Sequence, residues 1–189
     1  MNTTQWLQTK YLPIPLIALT VLTRFHHFGD ALHLPDASLA VFFFAGFYPS
    51  RYFFAFLLLL AGVIDYVAIA NGTSDYCVSP AYIFLIPTYA VMWLAGRYSI
   101  RNSASDFIGL SLPFGMLMLA ATAAFIISNG SFYLFSGRFD SVSLSAYISG
   151  GIQYYLPYVG STLIYAAAGY ALVRMLAFLP SFQGRHKSV

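Results

Sequence analysis

Glutamate is missing from this sequence, and charge of either sign is scarce. The acids are six aspartates, and Asp, Glu, Lys and Arg together make up 8% of 189 residues. A water-soluble domain carries roughly 25%. With 59% hydrophobic residues, the chain could not cover itself with polar side chains in water. These shortages exclude a soluble enzyme, a nucleic-acid-binding domain and a disordered chain. A Gly-x-x-x-x-Gly-Lys-Ser/Thr run is also lacking, so no nucleotide binds through a P-loop. No segment repeats another, which argues against an inverted-repeat transporter. A single cysteine, Cys77, excludes an intrachain disulfide.

Long apolar runs take the place of the missing charge. Lipid admits only helices and closed barrels as spanning structures. Phe53 to Ile64 is continuously apolar, without the alternation of a barrel strand. At roughly 20 residues per crossing, six helices consume about 120 residues and leave only loops. The expected fold is therefore an all-α integral membrane protein, one transmembrane domain over residues 1–189 built as a six-helix bundle. Its expected crossings are about Tyr11–Thr23, Ala37–Tyr48, Tyr52–Ala70, Ala81–Ala95, Ile108–Ser128 and Leu156–Phe178. The second is short and must tilt little, borrow flanking residues or thin the bilayer. Ser141–Tyr155 is expected as an outer-surface or re-entrant helix. One long helix kinked at Gly150, Gly151 and Pro157 is the alternative. The first crossing is expected to be a retained signal anchor.

Arginine and lysine set the orientation. With the N-terminus inside, Lys10, Arg51, Arg97, Arg101, Arg174, Arg185 and Lys187 face the cytoplasm, and only Arg24 and Arg138 lie outside. Seven against two is a positive-inside bias. Both termini are thus expected to be cytoplasmic.

This orientation sorts most reactive side chains to the outer side. His26, His27, Asp30, His33 and Asp36 fall in one outer loop, and Asp75, Tyr76 and Cys77 in another. The histidine spacing matches no strong zinc motif. A solvated loop with one ligand-contacting histidine fits it better. Cys77 can act as nucleophile, redox thiol or soft metal ligand, or fill space as a small buried apolar residue. Asp65 is the only acid well inside an expected crossing, about 8 Å below its outer end. A carboxylate at that depth faces a cavity or a partner. Cavity lining is the expectation, and a hydrogen bond to Tyr or Ser on a neighbouring helix the alternative. Tyrosines also concentrate outside, among them Tyr66, Tyr76, Tyr82, Tyr133 and Tyr147. They are expected to form an aromatic mouth for a bulky ligand besides an interfacial belt. Small residues in Ala120–Ala124 and Ala166–Ala171 allow close helix packing.

Six crossings in so short a chain, an outward ligand face and no motor resemble the substrate-binding S-components of energy-coupling-factor (ECF) transporters. More narrowly, the Asp65-bearing crossing and the loop Ser74-Asp75-Tyr76-Cys77-Val78-Ser79-Pro80, leading into Ala81-Tyr82, resemble the BtuM family of bacterial cobalamin-transport S-components. The resemblance implies vitamin uptake across a bacterial inner membrane, with a corrinoid as bound substrate. It implies Cys77 as axial ligand of the corrinoid cobalt, and thiolate-driven loss of cyanide from cyanocobalamin. Asp65, Tyr82, Tyr76, Asp75 and the His26/His27 pair are placed around the corrin on position alone. S-components that dock on a shared ECF module carry Ala-x-x-x-Ala in the first crossing. Here Ala18-Leu19-Thr20-Val21-Leu22 lacks the second small residue. The resemblance is thus to members that work without that partner. The rival from another class is an intramembrane thiol enzyme using Cys77, His27 and Asp65.

Overall fold

The computed structural model describes residues 12–26, 35–72, 74–76, 78–102 and 108–178. Both expected terminal placements lie outside them. Among the described residues every regular element is helical: α1 (Pro13–His26), α2 (Ser38–Ala45), α3 (Arg51–Ala70), a 3-10 turn (Pro80–Phe84) running into α4 (Leu85–Asn102), α5 (Ile108–Phe135), α6 (Leu144–Gly151), a second 3-10 turn (Ile152–Tyr154) and α7 (Tyr155–Phe178). Arg51–Ala70, Pro80–Asn102 and Ser111–Phe135 are long and apolar enough to cross a membrane. With 24 residues, α7 also has the length, about 36 Å.

The apolar surface faces outward as well as inward. On α3, Tyr52, Phe56, Leu59, Val63 and Tyr66 are exposed, while Phe53, Leu57, Ala61, Ile64 and Ala68 are buried. Two interleaved helical stripes, both apolar, have no use in water. One meets protein and the other lipid. Leu119, Ile126 and Leu134 on α5 and Leu156, Ile164 and Leu172 on α7 extend the exposed face. The chain is a multi-pass helical membrane protein.

The expected second crossing is instead the middle of the bundle. α2 has eight residues, about 12 Å of helix, too short to cross a membrane alone. Seven of the eight are buried, and it packs against α1, α3, α4 and α7. A helix that is apolar all round belongs inside. It gets there because two glycines let backbones touch. A Cβ on Gly96 of α4 would lie 1.9 Å from the Phe43 carbonyl oxygen, and one on Gly46 would lie 2.2 Å from that of Trp93. Of the alanine segments, Ala120–Ala124 packs inward, with Ala120, Ala121 and Ala124 buried, whereas in Ala166–Ala171 Ala166 is buried and Ala167, Ala168 and Ala171 are exposed.

Near the end of the chain, α6 and α7 divide close to the expected place. Gly151, Ile152 and Tyr155 all keep right-handed helical angles across the 3-10 turn. The path therefore combines a separate short helix with the continuity of the kinked alternative.

Candidate functional site: a buried ion-pair knot beneath the outer loops

The charge count assigns one end of the bundle to the outside, and four elements converge near it. Arg24, expected in an outer loop, instead sits in the last turn of α1 with 6% of its surface exposed. Its guanidinium grips Asp65 of α3 with two parallel bonds: Nε donates to Oδ1 at 2.7 Å and Nη2 to Oδ2 at 2.6 Å. The remaining terminal nitrogen, Nη1, donates to Tyr89 Oη of α4 at 2.7 Å and to Ser38 Oγ of α2 at 2.9 Å. Asp36 Oδ2 lies 3.4 Å from the same nitrogen. Asp36 Oδ1 also accepts from the Ser38 backbone N–H at 2.9 Å and hydroxyl at 2.7 Å, tying down the start of α2.

Each choice of side chain has a reason. A planar guanidinium matches a carboxylate fork and keeps donors for two hydroxyls; an ammonium could not do both. A lone ion in this setting would cost several kcal/mol, so pairing and full hydrogen bonding are conditions for burying it. The carboxylate expected to line a cavity is thus engaged in an ion pair. The tyrosine part of the alternative is present as well, since Tyr82 Oη donates to Asp65 Oδ2. The knot spans α1, α2, α3 and the 3-10 turn leading into α4.

Tyr82 carries the knot toward the outer loop. It belongs to the turn Pro80–Phe84, and its backbone N–H donates to the Ser79 carbonyl at 2.8 Å. Val78 N–H in turn donates to the Asp75 carbonyl at 2.8 Å. The described residues on both sides of Cys77 are therefore held in tight turns. Ser79 Oγ is buried with no partner among the described residues. Cys77 and His27 lie outside the described residues, as does the side chain of His26. Asp75 is exposed.

Tyr76 joins an aromatic shelf. Its ring lies 6.0 Å from Phe132, and the Arg138 guanidinium stacks over it at 4.1 Å. Phe139 continues the shelf 5.7 Å from Phe132, with Tyr147 4.8 Å beyond. Tyr147 donates to the Asn129 carbonyl at 3.0 Å, and Tyr133 to the Val142 carbonyl at 2.8 Å. Burial pushes the Tyr147 phenol above its ordinary value, with Tyr76 adding to the effect. The expected aromatic mouth is a surface of rings packed on one another.

Of the residues singled out in the sequence, the structure joins Asp65 directly to Tyr82 and sets Tyr76 in the shelf. The sequence places Asp36 among the reactive outer-loop residues but not with Asp65, and it does not mark Arg24, Ser38 and Tyr89 as part of a site. The signal for Arg24 was available: it is the one basic residue flanking the first apolar run on the side poor in positive charge. Of the thiol-enzyme rival's residues, Cys77 and His27 lie outside the described residues, and Asp65 is engaged by Arg24 and Tyr82. Among the described residues, no cluster of three or more His, Cys, Asp or Glu could hold a metal ion.

Fold and site together define a helical multi-pass membrane protein with a charged knot inside its bundle. The chain matches no protein-family model and no curated protein.

Proposed function

We propose that this protein is a membrane transport protein that takes up cobalamin from the outer face of a bacterial inner membrane, with Cys77 as axial ligand to the cobalt. The observation that carries the reading is the hydrogen-bonded path from the buried Arg24–Asp65 pair through Tyr82 to Ser79. Intramembrane ions are costly, pair with one another or face a cavity, and mark substrate and ion pathways. Here that investment is made where the bundle meets the Cys77 loop. Six helices besides the short α6, without a nucleotide motif, are in keeping with the S-component resemblance.

In this mechanism the corrinoid would present one face to the Cys77 loop. Tyr76 and the aromatic shelf supply flat apolar surface, and Asp75, with the His26/His27 pair, is proposed as the polar contact to the macrocycle's side chains. The Cys77 thiol would pass its proton to water and the thiolate would donate to cobalt. Cyanide, where present, leaves as the anion, and the metal keeps its oxidation state. A thiolate is a strong soft donor and can displace another axial ligand. Asp65 and Tyr82 fix the loop from below and need not touch the ligand. Where a shared ECF module would meet a second alanine, α1 presents Leu22, 58% exposed. An ECF module that docks here would lack its second small-residue contact.

Purified protein incubated with cyanocobalamin should develop a cobalt–thiolate absorption spectrum. Cys77→Ala should lose the spectrum while eluting and unfolding like the parent. A spectrum unchanged in Cys77→Ala removes the cysteine ligand, and no retained chromophore in either protein removes the corrinoid.

A further inference from the structure

At the opposite end of the bundle, α4 and α5 leave a groove of about 540 Å³ between them. This lies within the roughly 300–1,000 Å³ of small-molecule sites. Its floor is shallow-walled because Ala120 and Ala123 of α5 are small, and Leu94 contributes apolar surface from α4. Leu94 is 56% exposed, so the groove opens sideways, toward lipid. At its rim stand Arg97, Tyr98 and Arg101. The two arginines are one helical turn apart and share a face.

Among the described residues these cations have no carboxylate partner. The described aspartates, Asp36, Asp65, Asp75 and Asp140, all belong to the other end of the bundle. Arg97 reaches the Pro49 carbonyl at 3.3 Å and lies 5.1 Å from the Trp93 ring, and neither contact neutralises it. Arg101 is exposed in the last turn of α4. One cation there would suffice to offset the helix C-terminus. A pair of guanidiniums above an apolar, lipid-facing groove fits one kind of molecule, with a phosphodiester at one end and an acyl chain at the other.

We infer that this groove is a binding site for an anionic phospholipid of the leaflet at the Arg97 end. Arg97 and Arg101 hold the phosphodiester, the Tyr98 hydroxyl flanks the headgroup, and one acyl chain lies along Leu94, Ala120 and Ala123. Positive-inside orientation puts the site in the cytoplasmic leaflet, where anionic lipids attract basic side chains.

The test uses the full chain with Trp6→Phe, leaving Trp93 beside Arg97 as the lone tryptophan. It is reconstituted in phosphatidylcholine nanodiscs doped with phosphatidylglycerol carrying brominated chains, or with phosphatidylcholine carrying the same chains. Brominated phosphatidylglycerol should quench Trp93 at a lower mole fraction, the preference being about fivefold for each arginine engaged. Arg97→Gln and Arg101→Gln should each reduce the preference, and the double variant abolish it. Arg97→Lys with Arg101→Lys should largely retain it. Ala123→Leu, which fills the floor and leaves both cations, should weaken quenching by the anionic lipid. Equal quenching by the two lipids in the parent, or a preference that survives the double Gln variant, overturns the site. Loss of the preference on adding soluble glycerol phosphate assigns the arginines to a small anion and overturns the lipid.

Discussion

Arg24 and Asp65 together decide what the inside of this bundle tolerates. Removing one partner of a buried, hydrogen-bonded pair strands the other, at a cost of about 3–5 kcal/mol. Arg24→Met and Asp65→Leu should each lower the thermal unfolding temperature strongly. The double variant should be less destabilised than the sum of the two, because neither charge is left alone. Strict additivity in that cycle would show that the pair is not coupled. Arg24→Lys should fall between, since an ammonium cannot keep the fork to Asp65 while also donating to Ser38 and Tyr89. Tyr82→Phe tests a different link. It removes the hydroxyl on Asp65 but leaves the ion pair, so it should alter the Cys77 loop more than the fold. Faster reaction of Cys77 with a thiol reagent, at nearly unchanged unfolding temperature, is the expected result.

Glycines separate the helices into those that touch and those that do not. Gly96→Ala would drive a Cβ into the Phe43 carbonyl, and backbone cannot move aside as a flexible side-chain end can. α2 and α4 should then separate, with a loss of several degrees in unfolding temperature or failure to fold. Gly62→Ala on α3 is the control, because nothing lies within 4 Å of its added Cβ. It should be neutral or slightly stabilising, as expected for Gly→Ala in a helix. Equal damage from both substitutions would remove the close α2–α4 approach as a determinant of the fold. The same comparison shows what was legible at this scale. α3 could be read almost residue for residue, because its apolar run is long and begins where Pro49 and Ser50 interrupt the chain. α2 could be read as apolar but not as central. Hydropathy scores a side chain's liking for a nonpolar neighbourhood without telling lipid from protein.

The whole molecule makes its own predictions. Leu59 is 68% exposed in the middle of α3. Leu59→Arg should cost about 2.5–3.5 kcal/mol of membrane insertion. In a water-soluble bundle the same exposed change would be nearly silent. Orientation can be checked with the lone thiol: an impermeant maleimide should label Cys77 from outside intact cells and not from the cytoplasmic face. Labelling confined to inverted vesicles would reverse the orientation and, with it, the leaflet assigned to the Arg97 groove. Every other position is thiol-free, so any label reports this loop alone.

Composition alone determined the solvent of this protein. Lipid immersion depends on summed transfer energies, which are additive along the chain, and 8% charge cannot sustain an aqueous surface. The helices and their approximate lengths follow from the same local sums. Pairing is different in kind. Arg24 and Asp65 are 41 residues apart, and their bond exists only because α1 and α3 pack at one depth and one rotation. The same holds for α2, whose seat depends on Gly46 and Gly96 meeting backbones from distant parts of the chain. Only the tertiary structure could place these groups, because an ion pair or a backbone contact forms between helices and leaves no periodic trace in either one. The scarcity of charge thus named the environment, and the fold decided which of the few charges would go inside it.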